Sequence, residues 1–139
     1  MGIANHSSHH RRCHIFFHLL LRLPAVLIVE DEILIRMVAA DAFIEAGFVV
    51  FEAEHAAHAL LVLADSAHIH LLFTDVNMPG VMDGIGLAEH LKAASPGLHI
   101  IIASALPISR SIDHLPATFV SKPYQMADVC RTAQTLLAA

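Results

Sequence analysis

Residues 25–139 read as one α/β domain, a five-stranded parallel sheet with helices on both faces. Three observations predict it. Short apolar runs, several rich in Val and Ile, alternate with stretches in which apolar residues recur at helical spacing. The runs are apolar nearly throughout, as in strands buried on both sides. Polar residues then close four of the five runs at the same end: Glu30-Asp31, Asp75, Ser104 and Lys122.

The first strand, 25–29, is Ala-Val-Leu-Ile-Val, stopped by three successive acids, Glu30, Asp31 and Glu32. Ile33, residues 35–38, Ala42 and Phe43 then recur at helical spacing, and Gly47 suits a helix C-terminal cap. Residues 48–51 form the second strand. Residues 55–64 are rich in Ala and Leu and form a helix whose Ala-Leu stripe faces the core. The third strand, 69–74, runs into Asp75, after which Pro79 and Gly80 break the chain into a loop. Asp83-Gly84 is a turn, with Asp83 as N-cap of a helix over 85–94. Ser95-Pro96-Gly97 closes that helix, and the fourth strand, 98–103, ends at Ser104. Residues 109–114 leave room only for a turn or a short helix before Pro116. The fifth strand, 117–121, ends at Lys122-Pro123, and the last helix covers 125–137.

Composition bounds the function. The chain has 139 residues, enough for one domain with a sizeable core. It is 56 % apolar with a mean hydropathy of +0.63, but its apolar residues come in short blocks. The longest candidate span, 15–23, is interrupted by His18 and Arg22 and falls well short of the roughly 20 residues a spanning helix needs. No membrane segment is expected. Cys13 and Cys130 stand in no metal-ligand spacing and read as free thiols of a cytoplasmic protein.

Charge is unevenly divided. Residues 1–24 carry Arg11, Arg12, Arg22 and five of the 12 histidines but no acid, and they read as a flexible N-terminal extension. From residue 25 onward 13 acids face five bases, a formal balance of −8. Such a body has no basic face to neutralise phosphates along a duplex, so nucleic acid is not an expected partner. Neither His9, His10 and His14 nor His55, His58, His68 and His70 show the spacing of a metal site. His90 and His99 read as surface or core residues.

In an open parallel sheet, chemistry sits beyond the carboxyl ends of the strands. Glu30, Asp31 and Asp75 would therefore meet at one edge, with Ser104 and Lys122 beside them. Two like charges about 4 Å apart repel by roughly 4 kcal/mol at an effective dielectric near 20. Such a cluster needs a proton or a cation. An all-oxygen set with room for water suits Mg²⁺, which pairs protein carboxylates with a substrate phosphate. Lys122 and Ser104 suit phosphate oxygens, and Asp75 is the candidate nucleophile, since a carboxylate can accept a phosphoryl group as a mixed anhydride.

Residues 26–32 (Val-Leu-Ile-Val-Glu-Asp-Glu), 74–80 (Thr-Asp-Val-Asn-Met-Pro-Gly) with Met82-Asp83-Gly84, Ser104-Ala105 and Lys122-Pro123 together resemble the receiver domain of two-component response regulators. The resemblance covers residues 25–139. It implies a flavodoxin-like fold with strand order 2-1-3-4-5, Asp75 as phosphoacceptor, and Mg²⁺ held by Glu30, Asp31, Asp75 and the backbone carbonyl of Asn77. It further implies Ser104 as the switch hydroxyl, Phe119 as the switch aromatic, Lys122 as the phosphate-binding lysine, and a cis Lys122-Pro123 bond. The implied partners are a sensor histidine kinase or a histidine phosphotransfer protein, with a second copy of the chain as a further candidate. Three departures stand out. Glu30 occupies a position where aspartate is commoner, Phe119 lacks a phenolic hydroxyl, and the short interval from Ser104 to Lys122 implies a shortened fourth helix.

On this reading the chain is a stand-alone, non-enzymatic receiver that signals through protein contact or phosphorelay, because no output domain is expected after the last helix. Two alternatives compete. A degenerate receiver would bind partners unphosphorylated. An aspartyl-phosphate hydrolase is suggested by Asp75-x-Asn77, although Asn77 cannot transfer a proton.

Overall fold

The computed structural model describes residues 23–64, 68–105, 107–108 and 112–138. Five strands and four helices follow one another: β1 (Ala25–Val29), α1 (Ile33–Glu45), β2 (Val49–Ala53), α2 (Ala56–Ala64), β3 (Leu71–Asp75), α3 (Gly84–Ala94), β4 (His99–Ser104), β5 (Thr118–Ser121) and α4 (Met126–Ala138). Every strand pair is parallel, and the order is β2-β1-β3-β4-β5. This is the flavodoxin-like topology that the resemblance implies. Among the described residues, no helix is long and apolar enough to cross a membrane.

The expected strands 48–51 and 69–74 lie one to two residues further along, at Val49–Ala53 and Leu71–Asp75. Asp75 is thus the last residue of β3, not the first beyond it. The later starts have one cause: an apolar residue before a strand, such as Phe48 or Ile69, packs on the core without joining the ladder.

Alternate residues of the central strands feed two cores. Leu27, Val29, Leu72, Ile100 and Ile102 face α2 and α3, while Val26, Ile28, Leu71, Phe73, Ile101 and Ala103 face α1 and α4. β1 and the apolar part of β3 are buried on both faces. That is why their sequence shows no alternation. On the α1 side Phe43 sets its ring edge-on to Phe48 at 5.1 Å and tilted against Phe73 at 5.7 Å.

Helix faces depart from the apolar pattern. In α1 the buried residues are Arg36, Ala39, Ala40 and Phe43. Ile33, Leu34, Met37 and Val38 are 60 %, 74 %, 52 % and 61 % exposed. The small residues let α1 sit close to the sheet, and the bulky ones point to solvent. Likewise the Ala-Leu stripe of α2 is only half in the core: Ala56 and Ala59 are buried, and Leu61 is exposed.

Helix ends obey local rules. Gly47 takes φ 95° just past α1, a region open to glycine. The Asp83 carboxylate caps α3 by accepting from the Gly86 N–H at 2.8 Å. Among the described residues no helix stands between β4 and β5. Residues 106 and 109–111 lie outside them, and so does half of the turn or short fourth helix expected over 109–114. In the described remainder, Leu115 is buried and its N–H bonds the Ile112 carbonyl at 2.9 Å. Residues 1–22 of the N-terminal extension, Cys13 among them, also lie outside the described residues. Cys130 is a buried free thiol whose pKa burial raises.

The start of α3 locks the end of β3. The Gly84 N–H donates to the Val76 carbonyl at 2.9 Å, and a Cβ at Gly84 would overlap the Asp75 carbonyl oxygen. Gly84→Ala is therefore expected to lower stability by about 1–3 kcal/mol, the usual cost of overpacking. Helix propensity acts in the opposite direction, since Ala is the better helix former. A urea titration that finds the variant as stable as wild type, or more so, would show that α3 moves aside freely.

Candidate functional site

Parallel strands bring all their carboxyl ends to one edge, and the polar residues flagged in the sequence gather there. Glu30 and Asp31 leave β1, Asp75 ends β3, Ser104 ends β4 and Lys122 follows β5. Carboxylate oxygens of Glu30, Asp31 and Asp75 lie within 4.8 Å of one another. This is the one cluster of metal-ligand type found among the described residues, which include His55, His58, His68 and His70 but not His9, His10 and His14. Glu30 and Asp75 are buried, whereas Asp31 is exposed.

Lys122 reaches in from the opposite side. Its Nζ donates to Asp75 Oδ2 at 2.8 Å, across 47 residues of chain. The backbone fixes this approach, because the Lys122 N–H bonds the Ser104 carbonyl at 2.9 Å and the Lys122-Pro123 bond is cis. Burial disfavours the charged amine, yet the hydrogen bond and charge of Asp75, with Glu30 adding, lift Lys122 above the ordinary lysine range.

Glu30 is tied at several points. Its N–H bonds the Ala53 carbonyl at 3.1 Å, and its Oε1 accepts from the Glu32 N–H at 3.1 Å. Burial pushes its pKa from 4.5 up to about 7; the Glu32 hydrogen bond opposes this and the charge of Asp75 adds to it. Burial and the charge of Asp75 thus favour a proton on Glu30, which lessens the crowding of negative charge.

Ser104 stands half-buried on the α2/α3 side of the sheet, in line with Ile100 and Ile102. Phe119 pairs with Ile102 and packs on the same core, so the hydroxyl and the ring share one face. Asn77 is exposed, two residues beyond β3.

Three contributors escaped the sequence reading. Thr74 donates its hydroxyl to the Asp75 carbonyl at 3.0 Å. Tyr124 packs edge-on against Phe73 at 5.8 Å; burial raises its pKa, with Lys122 opposing. Arg36 is buried, and its Nη1 donates to the Glu30 carbonyl at 2.7 Å. The available signal was that Arg36 is the only base between residues 25 and 91.

The donor set can take a hard divalent cation on one side of Asp75, while an ammonium fixes the other side. Such a corner suits a group that carries several anionic oxygens.

The family model described as Response regulator receiver domain matches residues 26–134. The chain is 35 % identical over 105 residues to the chemotaxis protein CheY of Bacillus subtilis, covering 72 % of this chain and 86 % of that protein. It is 30 % identical over 117 residues to the sensor kinase CckA of Brucella abortus, covering 81 % of this chain but only 12 % of the kinase. The crystal structure of a response regulator receiver protein from Sinorhizobium medicae superposes with a TM-score of 0.76 at 22 % identity, over 86 % of this chain and 98 % of that one. At that identity the likeness speaks for the fold.

The proton on Glu30 makes stability depend on pH. Glu30 titrates near 4.5 when unfolded and near 7 when folded. Between these values the folded chain keeps a proton that the unfolded chain has released. The favourable contribution is therefore full at low pH and is lost as pH rises through about 7. Urea midpoints between about pH 5 and pH 8 should show this loss in wild type, and Glu30→Gln should lack that component. Parallel pH profiles for the two proteins would show that Glu30 is not the group responsible.

Proposed function

We propose, from the premise that the chain belongs to the response regulator receiver domain family, that residues 25–139 accept a phosphoryl group on Asp75 from a histidine kinase or histidine phosphotransfer protein. The chain is a signalling module that passes its state on by protein contact or onward phosphoryl transfer, and not an enzyme in its own right. The observation that carries the reading is the Asp75 carboxylate, held by Lys122 at 2.8 Å and flanked by Glu30 and Asp31.

A carboxylate oxygen of Asp75 attacks the phosphorus of a phosphohistidine in line with the scissile P–N bond. As the new P–O bond forms, the P–N bond breaks. The imidazole nitrogen leaves with the electron pair and takes a proton from water, and Asp75 holds the group as an acyl phosphate. Glu30, Asp31, Asp75 and the Asn77 backbone carbonyl would hold Mg²⁺, which when bound supplies positive charge to the phosphoryl oxygens. Three carboxylates with oxygens within 4.8 Å fit such a cation by their chemistry.

Lys122 orients Asp75 before transfer and stays beside the phosphoryl oxygens afterwards. Ser104 gives its hydroxyl to one of those oxygens. Moving that hydroxyl toward the phosphoryl group frees space on the face it shares with Phe119, and the ring repacks there. The signal is a change of packing, because Phe119 has no phenolic hydroxyl to donate. A groove of about 640 Å³ beside the site, walled by Leu34, Val38, Lys122, Pro123, Tyr124 and Met126, supports docking of a protein that presents the histidine.

Acetyl phosphate with Mg²⁺ should add one phosphate to the wild-type chain and none to Asp75→Asn, as read by intact mass. Label that persists in Asp75→Asn would remove Asp75 from this role.

A further inference from the structure

Arg36 is buried, 9 % exposed, on the face of α1 that packs against the sheet. Its Nη1 donates to the Glu30 carbonyl oxygen at 2.7 Å, and its Nε stands 3.5 Å from Glu52 Oε1 on β2. The two partners differ in weight. The Glu52 side chain is 45 % exposed, so that ion pair is long and partly solvated. The bond to the carbonyl is short, charge-assisted and buried.

That carbonyl belongs to the peptide joining Glu30 to Asp31, the two acids that β1 contributes to the cluster. The neighbouring Glu30 N–H is held by the Ala53 carbonyl and its Oε1 by the Glu32 N–H. The guanidinium adds a third hold on this corner, at the carbonyl. A lysine in its place ends one bond short of Nη1 and offers a single charged centre, so it does not reach the carbonyl in the same geometry.

We propose that Arg36 is a positioning residue for the acidic corner: it fixes the plane of the Glu30–Asp31 peptide and so sets how tightly Glu30 and Asp31 hold a divalent cation, without touching the cation. This rests on the proposed function, and it assigns Arg36 a task that a residue merely filling the core does not have. Groups that orient metal ligands from behind typically change affinity by about 10–100-fold when removed.

The test is Mg²⁺ affinity measured by calorimetry on the full chain, with thermal midpoint and acetyl phosphate labelling read in parallel. Arg36→Met and Arg36→Lys should each weaken Mg²⁺ binding by about 10-fold or more, and labelling at saturating Mg²⁺ should recover to near the wild-type rate. Glu52→Gln, which leaves the carbonyl bond in place, should bind Mg²⁺ like wild type. If Arg36→Met fails to fold, Arg36→Lys and Glu52→Gln still decide the matter. A folded Arg36→Lys that binds Mg²⁺ as tightly as wild type overturns the inference and leaves the proposed function standing. So does a Glu52→Gln variant as weak as Arg36→Lys. A wild-type chain that binds no Mg²⁺ overturns both.

Discussion

Three carboxylates at the ends of β1 and β3 cannot share one corner as anions without a counter-charge, and much of the molecule is arranged to supply it. At an effective dielectric near 20, each close pair of like charges costs about 4 kcal/mol at 4 Å. Lys122 meets part of that cost at 2.8 Å from Asp75, and a proton on Glu30 meets another part. The ammonium comes from the far edge of the sheet, two strands away from Asp75. Only a parallel topology delivers five strand ends to one edge, so the charge balance and the fold are aspects of one constraint.

That constraint also explains how α1 sits. A helix that buried its large apolar residues would stand further from β1, and Arg36 could not reach the Glu30 carbonyl. Ala39 and Ala40 allow the close approach, Phe43 anchors the far end, and the guanidinium holds the near end. The consequence is an outer surface with Ile33, Leu34, Met37 and Val38 in solvent, part of it lining the groove beside Lys122. The face that meets the Glu30 carbonyl is thus the less apolar one, and apolar surface is left outside. The same surface is what a protein partner can cover.

Much of the fold and most of the site were legible in the residues. Strands such as Ala25–Val29 and Leu71–Asp75 are buried on both faces, so they had to be apolar without alternation and were easily found. Glu30, Asp31, Asp75, Ser104 and Lys122 were legible because a polar residue that ends a buried strand stands out from its neighbours. Asp83 announced the start of α3 by its capping chemistry. Arg36 and Tyr124 were not legible as parts of the site. Each sits inside a helix or loop where a polar side chain is ordinary, and only its partner in another element gives it a task.

The sequence by itself determined the alternation of strands and helices, and with it the parallel sheet and the edge at which the acids, the hydroxyl and the lysine gather. These follow from periodicity, which is local, and from the rule that strands alternating with helices pair in parallel and so end at one edge. The tertiary structure decided which face of α1 turns inward, that Leu61 of α2 stays outside, and that Gly84 lies against the Asp75 carbonyl. In a helix that is apolar nearly all round, periodicity cannot select the buried face. The choice falls to the partners in other elements, both the core that Phe43 enters and the buried polar group that Arg36 meets. For α1 that group is the Glu30 carbonyl, and it belongs to another element of the fold.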